Sequence, residues 1–179
     1  MGKFDQYNIQ LKGLKSDRET YEFTLGDDFF KKIDSPEVQR GNVNATLTVK
    51  KKNSLFELSF ALNGVILIPC NRCLDDMEQR VQYKEKIQVQ LGSDYSEMDD
   101  IVIIPESEGS INIAWFLYEF IVVSIPIKHA HAPGECNKTM MTKLKKHIIR
   151  KKSDEDDESD NISFDDDDES FESQRSAPE

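Results

Sequence analysis

The length, composition and charge of the chain limit what it can be. Its 179 residues are 37% hydrophobic and 32% charged, which suits one domain with an appendage rather than several domains. The hydrophobic fraction is low and the charged fraction is high for a soluble domain, so part of the chain is expected to stay unfolded. Residues 153–179 contain thirteen acids and one base, so the net charge of −11 belongs to this segment and does not exclude an RNA partner for the rest.

The apolar segments of the chain predict where the protein resides. The start, MGKFDQYNIQLKGL, alternates polar and apolar residues and lacks the continuous apolar run of a signal peptide, so we expect a cytoplasmic protein. The most apolar stretch, Ile111 to Ile125, is shorter than the roughly 20 residues of a membrane span, so we expect no membrane partner. Three cysteines without an export signal favour thiols or metal ligands over disulfides.

Apolar residues alternate with polar ones through most of the first hundred residues. Four such runs start at Tyr7, Tyr21, Val43 and Phe56, and period two is typical of half-buried antiparallel strands. The segment from Asp27 to Ile33 interrupts them with its acids first and its lysines last. That order favours a helix of one or two turns.

A pair of cysteines follows the fourth of these runs. Asn63-Gly64 predicts a turn, and a short apolar run then leads to Cys70-Asn71-Arg72-Cys73. The alternation resumes from Val81. The CxxC motif is therefore expected at a connection between two strands.

Two helices are predicted after the strands. Ser110 is suited to cap an apolar helix that runs from Ile111 towards Ser124, and the sheet must cover that helix. Trp115 has the helical spacing of a core residue, although it could also stack on a base. A second helix, rich in lysine, is predicted from Lys138 to about Arg150.

These elements predict an α+β fold. We expect a mostly antiparallel sheet or a partly open barrel, covered by one apolar helix and a second, basic helix. A single α+β domain should occupy residues 1–152. Residues 153–179 should form a disordered acidic tail, because low hydrophobicity and dense like charge cannot compensate the loss of chain entropy.

The cysteines and histidines suggest a metal site. A tight turn can present Cys70 and Cys73 to one tetrahedral metal ion, and Cys136 with one histidine would complete a Cys3His zinc set. His131 is the preferred fourth ligand and His129 the substitute. The alternative is that the cysteines are buried thiols and the histidines lie on the surface. Redox catalysis by the CxxC motif is disfavoured, because such motifs begin a helix, whereas a strand, a turn and a strand are predicted here.

A run of basic residues follows Cys136. No acid interrupts it between Lys138 and Lys152. Such a cluster suits contacts to RNA phosphates, which position a protein without reading sequence. Alternatively, it is a solvated helix face that the acidic tail neutralises. The residues are Lys138, Lys143, Lys145, Lys146, Arg150, Lys151 and Lys152.

The order of these features resembles the YceD family of large ribosomal RNA subunit accumulation proteins. The resemblance covers about residues 40–150: a CxRCL element at Cys70 to Leu74, a strand, an acidic loop, an apolar helix ending in Ser124-Ile125-Pro126, and Cys136 in a polar turn. This chain departs from members with two cysteines in the second cluster, because it offers Cys136 alone, with His129 and His131 nearby. A metal site with four cysteine ligands is therefore impossible in this chain. The remaining possibilities are a site of mixed cysteine and histidine ligands, or no metal site.

The resemblance implies a non-enzymatic accessory factor in ribosome assembly. It would support accumulation or processing of large-subunit ribosomal RNA, with that RNA or a precursor ribosomal particle as partner, and with no small-molecule substrate. Zinc is the one cofactor that these residues suggest. The alternatives are a protein-binding adaptor, a thiol oxidoreductase, or a nuclease, for which Asp75, Asp76 and Glu78 lie too close together to be convincing metal ligands.

Overall fold

Strands and helices build the part of the protein that the structure, a computed structural model, describes: residues 2–98 and 101–147. The strands are β1 (Asn8–Gln10), β2 (Arg18–Leu25), β3 (Arg40–Lys52), β4 (Leu55–Pro69), β5 (Asp76–Gly92), β6 (Ser96–Met98), β7 (Ile101–Pro105) and β8 (Ser110–Asn112). The helices are α1 (Asp27–Ile33), α2 (Ala114–Val123) and α3 (Lys138–His147), with a short 3-10 turn at Asp5–Tyr7.

Six of these strands form one open sheet in the order β2-β3-β4-β5-β7-β6. Every neighbouring pair is antiparallel except β5 and β7, which run parallel. Strands β1 and β8 form a separate antiparallel pair. The α+β class and the mostly antiparallel sheet are thus confirmed, and the sheet is open, with edges at β2 and β6.

The hydrophobic core lies on one face of the six-stranded sheet. Leu47 of β3 and Leu58 of β4 are fully buried there, together with Phe30 of α1 and Ile121 of α2. Burying one such side chain stabilises the fold by roughly 1.5–3 kcal/mol, so the alternating pattern specifies which face is covered. Helix α1 spans the predicted residues 27–33, with acids in its first turn and lysines in its last.

The turn predicted at Asn63-Gly64 is wrong, because both residues lie inside the long strand β4. Gly64 pairs with Val43 of β3, and a Cβ atom on Gly64 would lie only 2.6 Å from the Cα atom of Val43. Glycine therefore serves a close approach of two backbones rather than a turn. The chain reverses instead at Asn53, between β3 and β4, where φ is 53°.

Helix α2 begins later than predicted, so Ser110 does not cap it. Ser110 belongs to β8, and the side chain of Asn112 accepts a hydrogen bond from the backbone N–H of Ala114 at 3.0 Å. The prediction of Trp115 as a core residue is also wrong, because 54% of its surface is exposed on the outer side of α2.

Helix α3 begins at Lys138, as predicted, and is described as far as His147. The compact unit of the chain spans Met1–His147. The predicted domain limit at residue 152 and the tail over residues 153–179 lie outside the described residues. Within the described ranges, no helix is both long and apolar enough to cross a membrane.

Candidate metal centre

The first half of the site is a tight turn that joins β4 to β5, where the CxxC motif was predicted. The backbone N–H of Cys70 donates to the carbonyl of Asp75 at 2.8 Å, and that of Leu74 donates to the carbonyl of Cys70 at 3.0 Å. Leu74 adopts the left-handed conformation, with φ of 64°, which completes the reversal. We call residues 70–75 the knuckle. It buries Cys70 and Cys73 almost completely.

The second half of the site is the segment after α2, which the knuckle holds by hydrogen bonds. The backbone N–H of Asn71 donates to the carbonyl of His129 at 3.0 Å, and its side-chain amide donates to the carbonyl of Ile127 at 3.2 Å. These bonds bring His131 beside Cys73, although 58 positions separate the two in the chain. The fold thus unites the two motifs.

Four potential ligand atoms converge at this junction, all within 4.8 Å of one another: those of Cys70, Cys73, His131 and Cys136. The Sγ atoms of Cys70 and Cys136 are 3.9 Å apart. The Nδ1 atom of His131 lies 3.4 Å from Cys73 Sγ and 4.0 Å from Cys136 Sγ. Ligands of a tetrahedral zinc ion would be about 3.8 Å apart for two sulfurs and about 3.6 Å for a sulfur and a nitrogen, so the spacing and the donor set both fit zinc.

The orientation of His131 also suits a metal ligand. Its Nε2 atom lies 3.3 Å from the carbonyl oxygen of Asp76, so a proton on Nε2 can be donated there and the lone pair of Nδ1 points at the cysteines. His129 points elsewhere, since its Nδ1 atom bonds to the carbonyl of Pro126 at 2.9 Å. The structure therefore brings the preferred histidine into the cluster and leaves the substitute outside it.

Cys70 and Cys136 differ in acidity. Burial raises the pKa of Cys70, but hydrogen bonds from the backbone N–H groups of Cys73 and Arg72 outweigh burial and lower it to about 6. Burial raises the pKa of Cys136 to about 11, aided by its neighbour Cys70. A hydrogen bond with Cys70 raises the pKa of His131. A metal ion would displace protons from this cluster, so its affinity should rise with pH.

Asn137, which sequence reasoning missed, connects the cluster to α3. Its side-chain oxygen accepts hydrogen bonds from the backbone N–H groups of Thr139 at 3.0 Å and Met140 at 3.3 Å, which caps the helix. Its side-chain amide donates to the carboxylate of Asp75 in the knuckle at 3.1 Å. Asparagine just before a helix is a recognisable cap, so the sequence did contain this signal.

A family model described as "Large ribosomal RNA subunit accumulation protein YceD" matches residues 58–172, more than half of the chain. The chain belongs to the YceD family. The match begins and ends later than the span of residues 40–150 on which the resemblance rests, and it includes all four members of the cysteine and histidine cluster. No curated protein and no solved structure matches the chain. The YceD description names an effect on ribosomal RNA and no catalytic activity.

Four of the seven residues predicted to bind RNA lie in the described part of the chain. Lys138, Lys143, Lys145 and Lys146 lie on α3, and all four are exposed. Arg150, Lys151 and Lys152 lie outside the described residues. No acid occurs in α3 itself.

The geometry gives little support to the two enzyme alternatives. The CxxC motif joins two antiparallel strands, so it does not begin a helix as the motif of thiol oxidoreductases does, and backbone hydrogen bonds rather than a helix lower the pKa of Cys70. Asp75 bonds to Asn137 and Asp76 to Arg40. Among residues 2–98 and 101–147, the cysteine and histidine cluster is the one group of ligands that converges on a metal position.

Proposed function

We propose that this YceD-family protein is a non-enzymatic accessory factor that supports accumulation or processing of large-subunit ribosomal RNA. It contacts RNA phosphates through the basic helix α3. Zinc bound by Cys70, Cys73, His131 and Cys136 holds the start of that helix against the end of the sheet. The observation that carries the proposal is adjacency: the last ligand, Cys136, is followed directly by Asn137, the cap of α3.

The charge of α3 supports a nucleic-acid partner. The sequence of α3 contains no acid, and lysine is a point-charge donor suited to phosphate oxygens. Its half-buried residues, Met140, Met141 and Leu144, lie on a different part of the helix surface. A helix fixed at its first turn presents these charges in a defined direction, which lowers the entropy lost on binding.

Charge reversal on α3 tests the proposal. Changing Lys143, Lys145 and Lys146 to Glu should weaken binding to transcribed large-subunit ribosomal RNA by roughly 100-fold or more at 0.1 M salt. The slope of log affinity against log salt should become shallower by about 2 to 3, because about three fewer phosphate contacts release counterions. Filter binding at several salt concentrations measures both quantities.

A matched triple variant controls for net charge. Lys31 and Lys32 end α1, and Lys51 lies near the end of β3, and all three are exposed. Changing these three to Glu alters the net charge equally and should weaken binding far less. If both triple variants lose RNA affinity equally, or if neither loses any, the lysines of α3 form a solvated helix face and not an RNA-binding site. Either result would favour the adaptor alternative, for which the exposed Trp115 and Val123 offer apolar surface.

The acidic segment 153–179 should compete with RNA for α3. Adjacency in sequence gives its thirteen acids a high effective concentration at the basic run. Truncation after Lys152 should therefore tighten RNA binding, most clearly at low salt, and should leave the melting temperature unchanged. A full-length variant with these acids changed to Asn or Gln should likewise bind RNA more tightly and keep its melting temperature. A truncated protein that melts several degrees lower would show instead that the segment contributes to the fold.

A further inference from the structure

The middle of the sheet face opposite the core carries small side chains and two lysines. The register places Thr48, Ser59 and Lys86 in one row across β3, β4 and β5, and Thr46, Ala61 and Lys84 in the next. We call these six residues the open face. Their side chains point away from the core because their neighbours in sequence, such as Leu47 and Leu58, are buried. Helices α1 and α2 both pack on the other side.

The two lysines of the open face are exposed. In the described part of the chain, neither Lys84 nor Lys86 forms an ion pair within 4 Å. Glu57, on the same face, is bound by Lys52 at 2.6 Å. That hydrogen bond lowers the pKa of Glu57, and the charge of Lys86 contributes to the lowering. Glu22 lies in the row of Lys84 but on β2, three strand spacings or about 14 Å away.

The positive charge continues along β5. The outward positions of β5 begin with the acids Asp76 and Glu78 and then hold Arg80, Gln82, Lys84, Lys86, Gln88 and Gln90. Residues 76–87 of β5 pair with β4 on one side, and β7 pairs with β5 only from Gln88 onward. The basic residues of this row, Arg80, Lys84 and Lys86, therefore lie at the rim of the described sheet, where a large polyanion can approach them.

We infer that the open face is a second RNA-binding surface, which takes the phosphodiester backbone of the large-subunit ribosomal RNA. Lys84 and Lys86 contact phosphates, and the hydroxyl groups of Thr46, Thr48 and Ser59 offer further donors to phosphate and sugar oxygens. The absence of aromatic side chains among these six residues excludes base stacking there, so the contact is to the backbone and independent of sequence. This inference rests on the proposed function.

Edge lysines have a second physical role, because a charge at a sheet edge prevents pairing with the edge of another molecule. That role predicts self-association, not altered RNA affinity, when the lysines are removed. The acidic segment 153–179 is another polyanion that could occupy the open face. In that case, removal of the lysines would release the segment and RNA binding would tighten or stay constant.

The test compares two double variants of the full chain. Lys84→Gln with Lys86→Gln removes the charge of the open face, and Lys31→Gln with Lys32→Gln removes an equal charge from α1, on the core side of the sheet. Binding to transcribed large-subunit ribosomal RNA is measured from 0.05 to 0.2 M salt, with the oligomeric state determined by light scattering. The open-face variant should bind roughly 25-fold more weakly at 0.1 M salt, and its salt slope should fall by about 1.4. The control should change little.

The outcomes separate the two proposals. An unchanged affinity and slope in the open-face variant, with binding lost on charge reversal of α3, overturns the open-face inference and leaves the proposed function intact. Tighter binding, or self-association alone, overturns it as well. Failure of the unaltered protein to bind the RNA would refute both.

Discussion

Replacing His131 with Ala, or Cys70 with Ser, should reduce the zinc content from about one ion per chain to well below half. Each change removes one ligand from a set of four whose atoms lie within 4.8 Å of one another. Binding of structural zinc contributes on the order of 10 kcal/mol to folding in zinc-finger peptides, which is comparable to the whole stability of a typical domain. The melting temperature should therefore fall by roughly 10 °C or more.

The control for this prediction is His129→Ala, because His129 is close in sequence but bonds to Pro126 rather than to the cluster. Metal analysis and thermal unfolding of protein purified without chelator give both readouts. The His129 variant should keep its zinc and its melting temperature. Equal loss in both histidine variants would refute the ligand assignment, and a metal-free, fully folded unaltered protein would refute the site.

Gly64→Ala should be among the most destabilising single changes in the sheet. The added Cβ atom would lie 2.6 Å from Val43 Cα and closer still to the carbonyl oxygen of Asn42, both backbone atoms that cannot rotate away. Strands β3 and β4 must separate locally, and overpacking of this kind costs about 3 kcal/mol. The melting temperature should fall by roughly 10 °C.

Gly13→Ala is the matched control, because a Cβ atom there meets nothing within 4 Å. Its melting temperature should stay within about 2 °C of the unaltered protein. Calorimetry on both variants makes the comparison. A Gly64 variant as stable as the Gly13 variant would show that the two strands tolerate a wider separation than the structure has.

Much of the sheet could be predicted because strand burial has a period of two. The runs that contain Leu47 and Leu58 were correctly predicted as strands, since one face of the sheet is covered and the other is solvated. Predictions from local sequence were wrong where pairing between residues far apart in the chain determines the structure. Asn63-Gly64 has turn chemistry, but its pairing with β3 extends the strand through it. Ser110 has cap chemistry, but pairing with Gln10 draws it into β8.

The types of ligand in the candidate site could be predicted from the sequence, but the orientation of each histidine could not. Three cysteines and a histidine are suitable zinc ligands wherever the fold unites them, so the residue types alone suggested the set. The choice between His131 and His129 depended on backbone carbonyls that only the folded chain positions, those of Asp76 and Pro126. The open face was invisible for the same reason, because its rows exist only once β3, β4 and β5 are in register.

The pairing of β1 with β8 has a consequence for the order in which the protein folds during synthesis. The side chains of Asn8 and Asn112, 104 residues apart, are joined by a hydrogen bond of 2.8 Å. Ribosomes add roughly 5–20 residues per second, so β1 waits about 5–20 s for its partner strand to be made. During that interval Ile9 and Leu11, both buried in the finished protein, lack the backbone partners that they have at Ile111 and Gly109. The pair of β1 and β8 is thus completed only after strands β2 to β7 have been synthesised.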